Sequence, residues 1–154
     1  MCKVPEQPVS ILLVEDDQID AKAFMRGLEA ERIGNPVRRA TDGVQAWEIL
    51  NGSNGESPLV RPYVIILDIN MPRMSGIELL QKLRADHELR DSIVFVLTTS
   101  NDDQDRIEAC NLNVAGYLLK SDMGNRFLQA METVDKDWRV MTLPACETPA
   151  ATAA

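Results

Sequence analysis

The chain has 154 residues, 45% of them hydrophobic and 26% charged, a length and balance that suit one folded domain and exclude a disordered or fibrous chain. Its 24 acidic against 16 basic side chains give a formal charge of −8, which repels phosphate backbones and anionic lipid, so neither nucleic acid nor a membrane is expected as a partner. The apolar runs fall far short of the ~20 residues of a membrane helix, no secretory signal opens the chain, and Cys2, Cys110 and Cys146 form neither a disulfide framework nor a zinc motif; a cytoplasmic protein is expected.

Short β-rich runs alternate with longer amphipathic segments, the pattern of βα units around a parallel sheet. The first strand is read at residues 9–14. Asp16 or Asp17 then caps a helix with Ala21, Phe24, Met25 and Leu28 on one face, ending near Gly34. Residues 37–40 (VRRA) make a second strand, placed at the sheet edge because Arg38 and Arg39 discourage edge-to-edge pairing. Asp42 caps a second helix carrying Val44, Trp47 and Leu50, and the Gly-, Ser- and Pro-rich residues 51–62 form a loop inserted after it. A third strand at residues 63–67 leads to a helix capped by Ser75 and carrying Ile77, Leu80 and Leu83. The fourth strand, residues 93–98, ends in Thr98, Thr99 and Ser100, and a thinly apolar helix with Ile107 and Cys110 starts near Asn101. The fifth, residues 116–119, closes on Lys120 before a helix with Phe127, Met131, Val134 and Trp138 on one face.

Chemistry gathers at the strand ends. Strand one runs into Glu15, Asp16 and Asp17, and strand three into Asp68. In a parallel sheet both clusters reach the carboxyl edge, where doubly wound folds bind ligands. Carboxylates without a nearby thiol or imidazole suit Mg²⁺. Singly, each Asp is accounted for as a helix cap or a strand end. Capping does not account for the hydroxyls after strand four, or for Lys120 after an apolar run, a costly placement unless anionic partners meet it. Together the four strand ends are equipped for one anion.

These residues resemble the receiver domain of two-component response regulators. The likeness is carried by Asp16 and Asp17 after ILLV, by ILDINMPRMSG at residues 66–76, by VLTTS at 96–100 and by GYLLK at 116–120, with Lys120 standing 22 positions after Thr98. It makes residues 9–138 a receiver domain and residues 139–154 a C-terminal extension. It implies a flavodoxin-like, doubly wound α/β fold, (βα)5, with a five-stranded parallel sheet in the order 2-1-3-4-5. It implies that Asp68 accepts a phosphoryl group from a sensor histidine kinase. Mg²⁺ would be bound by the side chains of Asp17 and Asp68 and the backbone carbonyl of Asn70, with Asp16 helping directly or through water. Lys120 and Thr98 would contact phosphoryl oxygens, Tyr117 would rotate inward as the switch, and Asn70 and Ser100 would set the lifetime of the acyl phosphate.

Ser121 stands where the family usually has proline after the lysine, often behind a cis peptide bond. A non-proline cis bond costs ~2.5–4 kcal/mol, so the loop that places Lys120 is expected to differ. The chain is also similar to the stand-alone regulators paired with bacterial phytochromes, which carry an extended loop before strand three and a sequence like WRVMTLP after helix five. The apolar Trp138, Val140, Met141 and Leu143 there suit a homodimer contact. No output domain is read after residue 138, so a downstream protein is expected to be reached by contact. Two other readings stay open. A haloacid-dehalogenase-like, Mg²⁺-dependent phosphohydrolase would need a second acid where Asn70 stands, and a receiver-like adaptor that is never phosphorylated has Ser121 as its hint.

Overall fold

A computed structural model of the chain describes residues 9–30, 32–53, 55, 59, 62–69, 75–98 and 112–119. The elements in order are β1 (Ser10–Val14), α1 (Gln18–Ala30), β2 (Val37–Ala40), α2 (Gly43–Asn51), β3 (Tyr63–Asp68), α3 (Gly76–Ala85), β4 (Ile93–Thr98) and β5 (Gly116–Leu119). All pairings are parallel, in the order β2-β1-β3-β4-β5. This is the flavodoxin-like order the resemblance implies. The expected fourth and fifth helices, the boundary at residue 138 and the extension 139–154 lie outside the described residues.

The apolar runs explain the layering. β1 and β3 are buried at every position, as strands covered on both faces must be. Leu12, Val14, Ile65, Leu67, Val94 and Val96 face one layer with α2 and α3, through Ala46, Ile49, Leu79, Leu80 and Leu83. Ile11, Leu13, Val64, Ile66, Phe95 and Leu97 face the other, where α1 inserts Ala21, Phe24 and Leu28. Each such aliphatic side chain contributes roughly 1.5–3 kcal/mol by leaving water. With both faces apolar, alternation cannot fix register; the polar ends do, because a slip would draw an acid into the sheet. Val14 pairs with Leu67, aligning the two runs at their carboxyl ends.

Three local expectations shift. Met25 is 40% exposed, so the buried stripe of α1 is Ala21, Phe24 and Leu28, with Met25 on its flank. α1 ends at Ala30 and not near Gly34: Arg32 adopts a left-handed φ of 57°, and the N–H groups of Arg32 and Ile33 donate to the carbonyls of Glu29 and Leu28, a Schellman closure. In α2 the deepest positions are Gly43, Ala46 and Ile49, while Trp47 and Leu50 pack at the margin of the core, where the Lys82 ammonium lies 4.6 Å from the centre of the Trp47 ring. Asp42 and Ser75 cap α2 and α3 as expected, Ser75 in a reciprocal capping box with Glu78. From the inserted loop, Leu59 packs against the α2–α3 layer.

Candidate functional site

β1 and β3 are neighbours in register, so the first residue after Val14 follows the same line as the residue after Leu67. Those residues are Glu15 and Asp68, 0% and 3% exposed, two carboxylates withdrawn from water at the carboxyl edge. Asp16 joins them from the exposed start of the following loop: one oxygen from each of Glu15, Asp16 and Asp68 lies within 4.8 Å of the others. The donor set is wholly carboxylate, which fits a hard divalent cation such as Mg²⁺ or Mn²⁺ and does not suit a thiophilic metal. Three negative charges this close repel one another, and a bound cation removes that repulsion.

Asp17 is turned to a different task. Its Oδ1 accepts from the N–H groups of Ile19 at 2.8 Å and Asp20 at 3.2 Å, capping α1, and its own N–H donates to Glu15 Oε2 at 3.2 Å. Of the four expected metal ligands, the structure therefore brings Asp16 and Asp68 together, leaves Asp17 on the helix end, and adds Glu15, which the expected set omits. The missing signal was register: with Val14 beside Leu67, the acid that directly follows each run falls next to the other.

Two contacts hold this edge. Arg39 of β2, paired in register with Leu13, reaches forward so that Nε donates to the carbonyl of Glu15 at 3.0 Å and Nη2 to that of Asp16 at 3.2 Å. Gly76, the first residue of α3, lies directly against the backbone of Asp68 and Ile69, and its N–H donates to the Ile69 carbonyl at 3.2 Å.

On the far side of Asp68, its register partner in β4 is Leu97, and Thr98 pairs with Leu119 of β5, the residue before Lys120. Tyr117 is half-buried and packs against the α2–α3 layer beside its register partner Val96. Asn70, Ser100, Lys120, Ser121 and the side chain of Thr98 lie outside the described residues.

Residues 11–138 match the family model for the response regulator receiver domain. The chain belongs to the response regulator receiver family. Response regulator Rcp1 of Synechocystis sp. is 32% identical over 139 residues, covering 90% of this chain and 95% of Rcp1. Among solved structures, the bacteriophytochrome response regulator AtBRR superposes with a TM-score of 0.76 at 31% identity, covering 92% of this chain and 99% of AtBRR. The Mn(2+)-bound form of Rcp1 superposes at 0.67 with 31% identity, covering 90% and 100% of the two chains. Membership of a signalling family favours a receiver over a phosphohydrolase. Among the described residues no helix is long and apolar enough to cross a membrane.

Proposed function

We propose that this receiver is a phosphoacceptor switch in which Asp68 takes a phosphoryl group from a phosphohistidine of a sensor histidine kinase, with Mg²⁺ held by Glu15, Asp16 and Asp68. The convergence of those three carboxylates at the carboxyl edge carries the reading. An Asp68 oxygen forms a bond to phosphorus as the phosphohistidine N–P bond breaks, and the imidazole nitrogen keeps the bonding pair and takes up a proton. Held by Glu15, Asp16 and Asp68, a divalent cation would supply positive charge to offset that of the arriving phosphoryl group. Asp17 fixes the acidic loop to α1, and the backbone carbonyl of Asn70 would serve as a further metal ligand. Lys120 meets the phosphoryl group as a point charge and Thr98 as a hydroxyl donor. Tyr117 then moves to report the change, and Asn70 and Ser100 govern access of the hydrolytic water. The receiver domain takes residues 9–138.

The similarity to bacteriophytochrome regulators supports a phytochrome as the kinase, in the cytoplasm, and the Mn²⁺-bound relative supports a hard cation. Trp138, Val140, Met141 and Leu143 supply a homodimer contact, and a downstream protein reads the switched face directly.

Incubated with acetyl phosphate and Mg²⁺, the chain is expected to take up a stoichiometric label that Asp68→Asn and chelation each abolish. Labelling that survives both would overturn the assignment. Mg²⁺ at about 100 times its dissociation constant should add about 2.7 kcal/mol of stability, read as a rise in thermal midpoint. Asp16→Asn should lose most of that rise, yet unfold later than the unsubstituted chain when metal is absent, because one of three crowded charges is gone.

A further inference from the structure

We infer that Arg39, on the edge strand β2, is a positioning residue for the metal: its guanidinium pins the carbonyls of Glu15 and Asp16 and so presets two of the three acidic ligands. The inference rests on the metal-assisted reading above and adds to it a residue that touches neither metal nor phosphoryl group.

The acidic loop is short and is anchored at both ends. Its last sheet bond is Glu15 N–H to the Ala40 carbonyl at 3.0 Å, and its first helix bond is Ala21 N–H to the Asp17 carbonyl at 2.9 Å. Between those anchors the chain must leave a buried strand and turn into α1 while carrying three negative side chains. The Glu15 and Asp16 carbonyls point at the fork of one guanidinium, at 3.0 and 3.2 Å. Both bonds come from a charged donor, the stronger kind, and the planar fork fixes two acceptors at once. With the carbonyls fixed, the side chains of Glu15 and Asp16 start from one backbone geometry, and the metal does not have to order the loop.

The charge of Arg39 and its positioning of the carbonyls act on metal affinity in opposite directions. A guanidinium beside the site repels a divalent cation, so losing the charge alone would tighten metal binding. Losing the fixed carbonyls frees the ligands and weakens it. Arg39 is partly exposed on an edge strand, so its replacement leaves the core intact.

The full chain, with Arg39→Gln and Arg39→Lys, is titrated with Mg²⁺ by calorimetry, and amide exchange at residues 15–17 is followed without metal. The dissociation constant is expected to rise about tenfold in Arg39→Gln, the lower range for partners that orient metal ligands. It should rise less in Arg39→Lys, whose ammonium keeps the charge but serves one carbonyl at best. The Asp16 and Asp17 amides should exchange faster in both variants. Mg²⁺ binding by Arg39→Gln as tight as that of the unsubstituted chain, or tighter, would overturn the inference, as would unchanged exchange in both variants. If the unsubstituted chain itself binds no Mg²⁺ and takes no label at Asp68, the phosphoacceptor reading falls and this inference with it. Intact binding and labelling there, beside an unaltered Arg39→Gln, refutes the role of Arg39 alone.

Discussion

Gly76→Ala is expected to lower stability by about 3 kcal/mol, the upper end for overpacking, and to slow labelling of Asp68 more than tenfold. A Cβ built on Gly76 would lie 2.5 Å from the Ile69 Cα and 2.6 Å from the Asp68 carbonyl oxygen. Both are backbone atoms, with no rotamer through which to escape, so either α3 or the end of β3 must shift. The end of β3 carries Asp68, the proposed phosphoacceptor, and a displacement of a few tenths of an ångström there separates its carboxylate from Glu15 and Asp16. Gly55→Ala is the control. It has a positive φ of 82° but nothing within 4 Å of the added carbon, so it should cost only the ~1 kcal/mol of backbone strain and leave labelling unchanged. Urea denaturation and an acetyl phosphate time course separate the two effects. Ordinary stability and labelling in Gly76→Ala would mean that α3 and β3 do not meet as described.

Arg84→Met should be comparably damaging, by about 3 kcal/mol, although its side chain approaches no acidic residue of the site. From the last turn of α3 its Nε donates to the Leu112 carbonyl at 2.8 Å, Nη1 to those of Arg90 at 2.7 Å and Ser92 at 2.8 Å, and Nη2 to that of Asn113 at 3.0 Å. One cation thereby joins the end of α3, the approach to β4 and the approach to β5. Burial pushes the guanidinium pKa down while Asp91 draws it back up, and arginine stays charged at any physiological pH. A hydrogen bond to a charged group contributes about 1.5–3 kcal/mol. The four here share one donor group, and some freed carbonyls regain water, so the total falls well below their sum. Methionine keeps the apolar stem and removes every donor. Arg84→Lys, with a point charge in place of a fork, should recover less than half of the loss. The midpoint of thermal unfolding should fall by about 6–12 °C in Arg84→Met. Labelling should slow as well, because the strand held through Leu112 and Asn113 is the one that leads to Lys120. An unfolding midpoint within a degree of the original would refute the clamp.

The strands were legible because burial on both faces leaves a nearly unbroken apolar run, and the acids that end two of them could be seen in the same way. Arg38 and Arg39 correctly marked β2 as an edge, but for one of them the reason was incomplete: beyond discouraging edge pairing, Arg39 bonds the acidic loop. Glu15 is absent from the expected ligand set because EDD offers three adjacent carboxylates, and hydrophobic pattern cannot tell which one turns toward the Asp68 carboxylate. That depends on how two distant runs align, a tertiary fact. Met25 and Trp47 were placed too deep because helical spacing marks a face without its width. Arg84 gave no signal, since its partners are backbone carbonyls, which every sequence possesses.

The order of the sheet also bears on how the chain is made. β1 is synthesised first but sits inside the sheet, wholly buried between β2 and β3. A ribosome extends a chain by about 5–20 residues per second, so the strand waits several seconds for residues 63–68, with sticky aliphatic surface bare to water. Nascent-chain chaperones therefore have a defined window, and a pause placed before the codons for β3 should raise the aggregated fraction more than one placed after them.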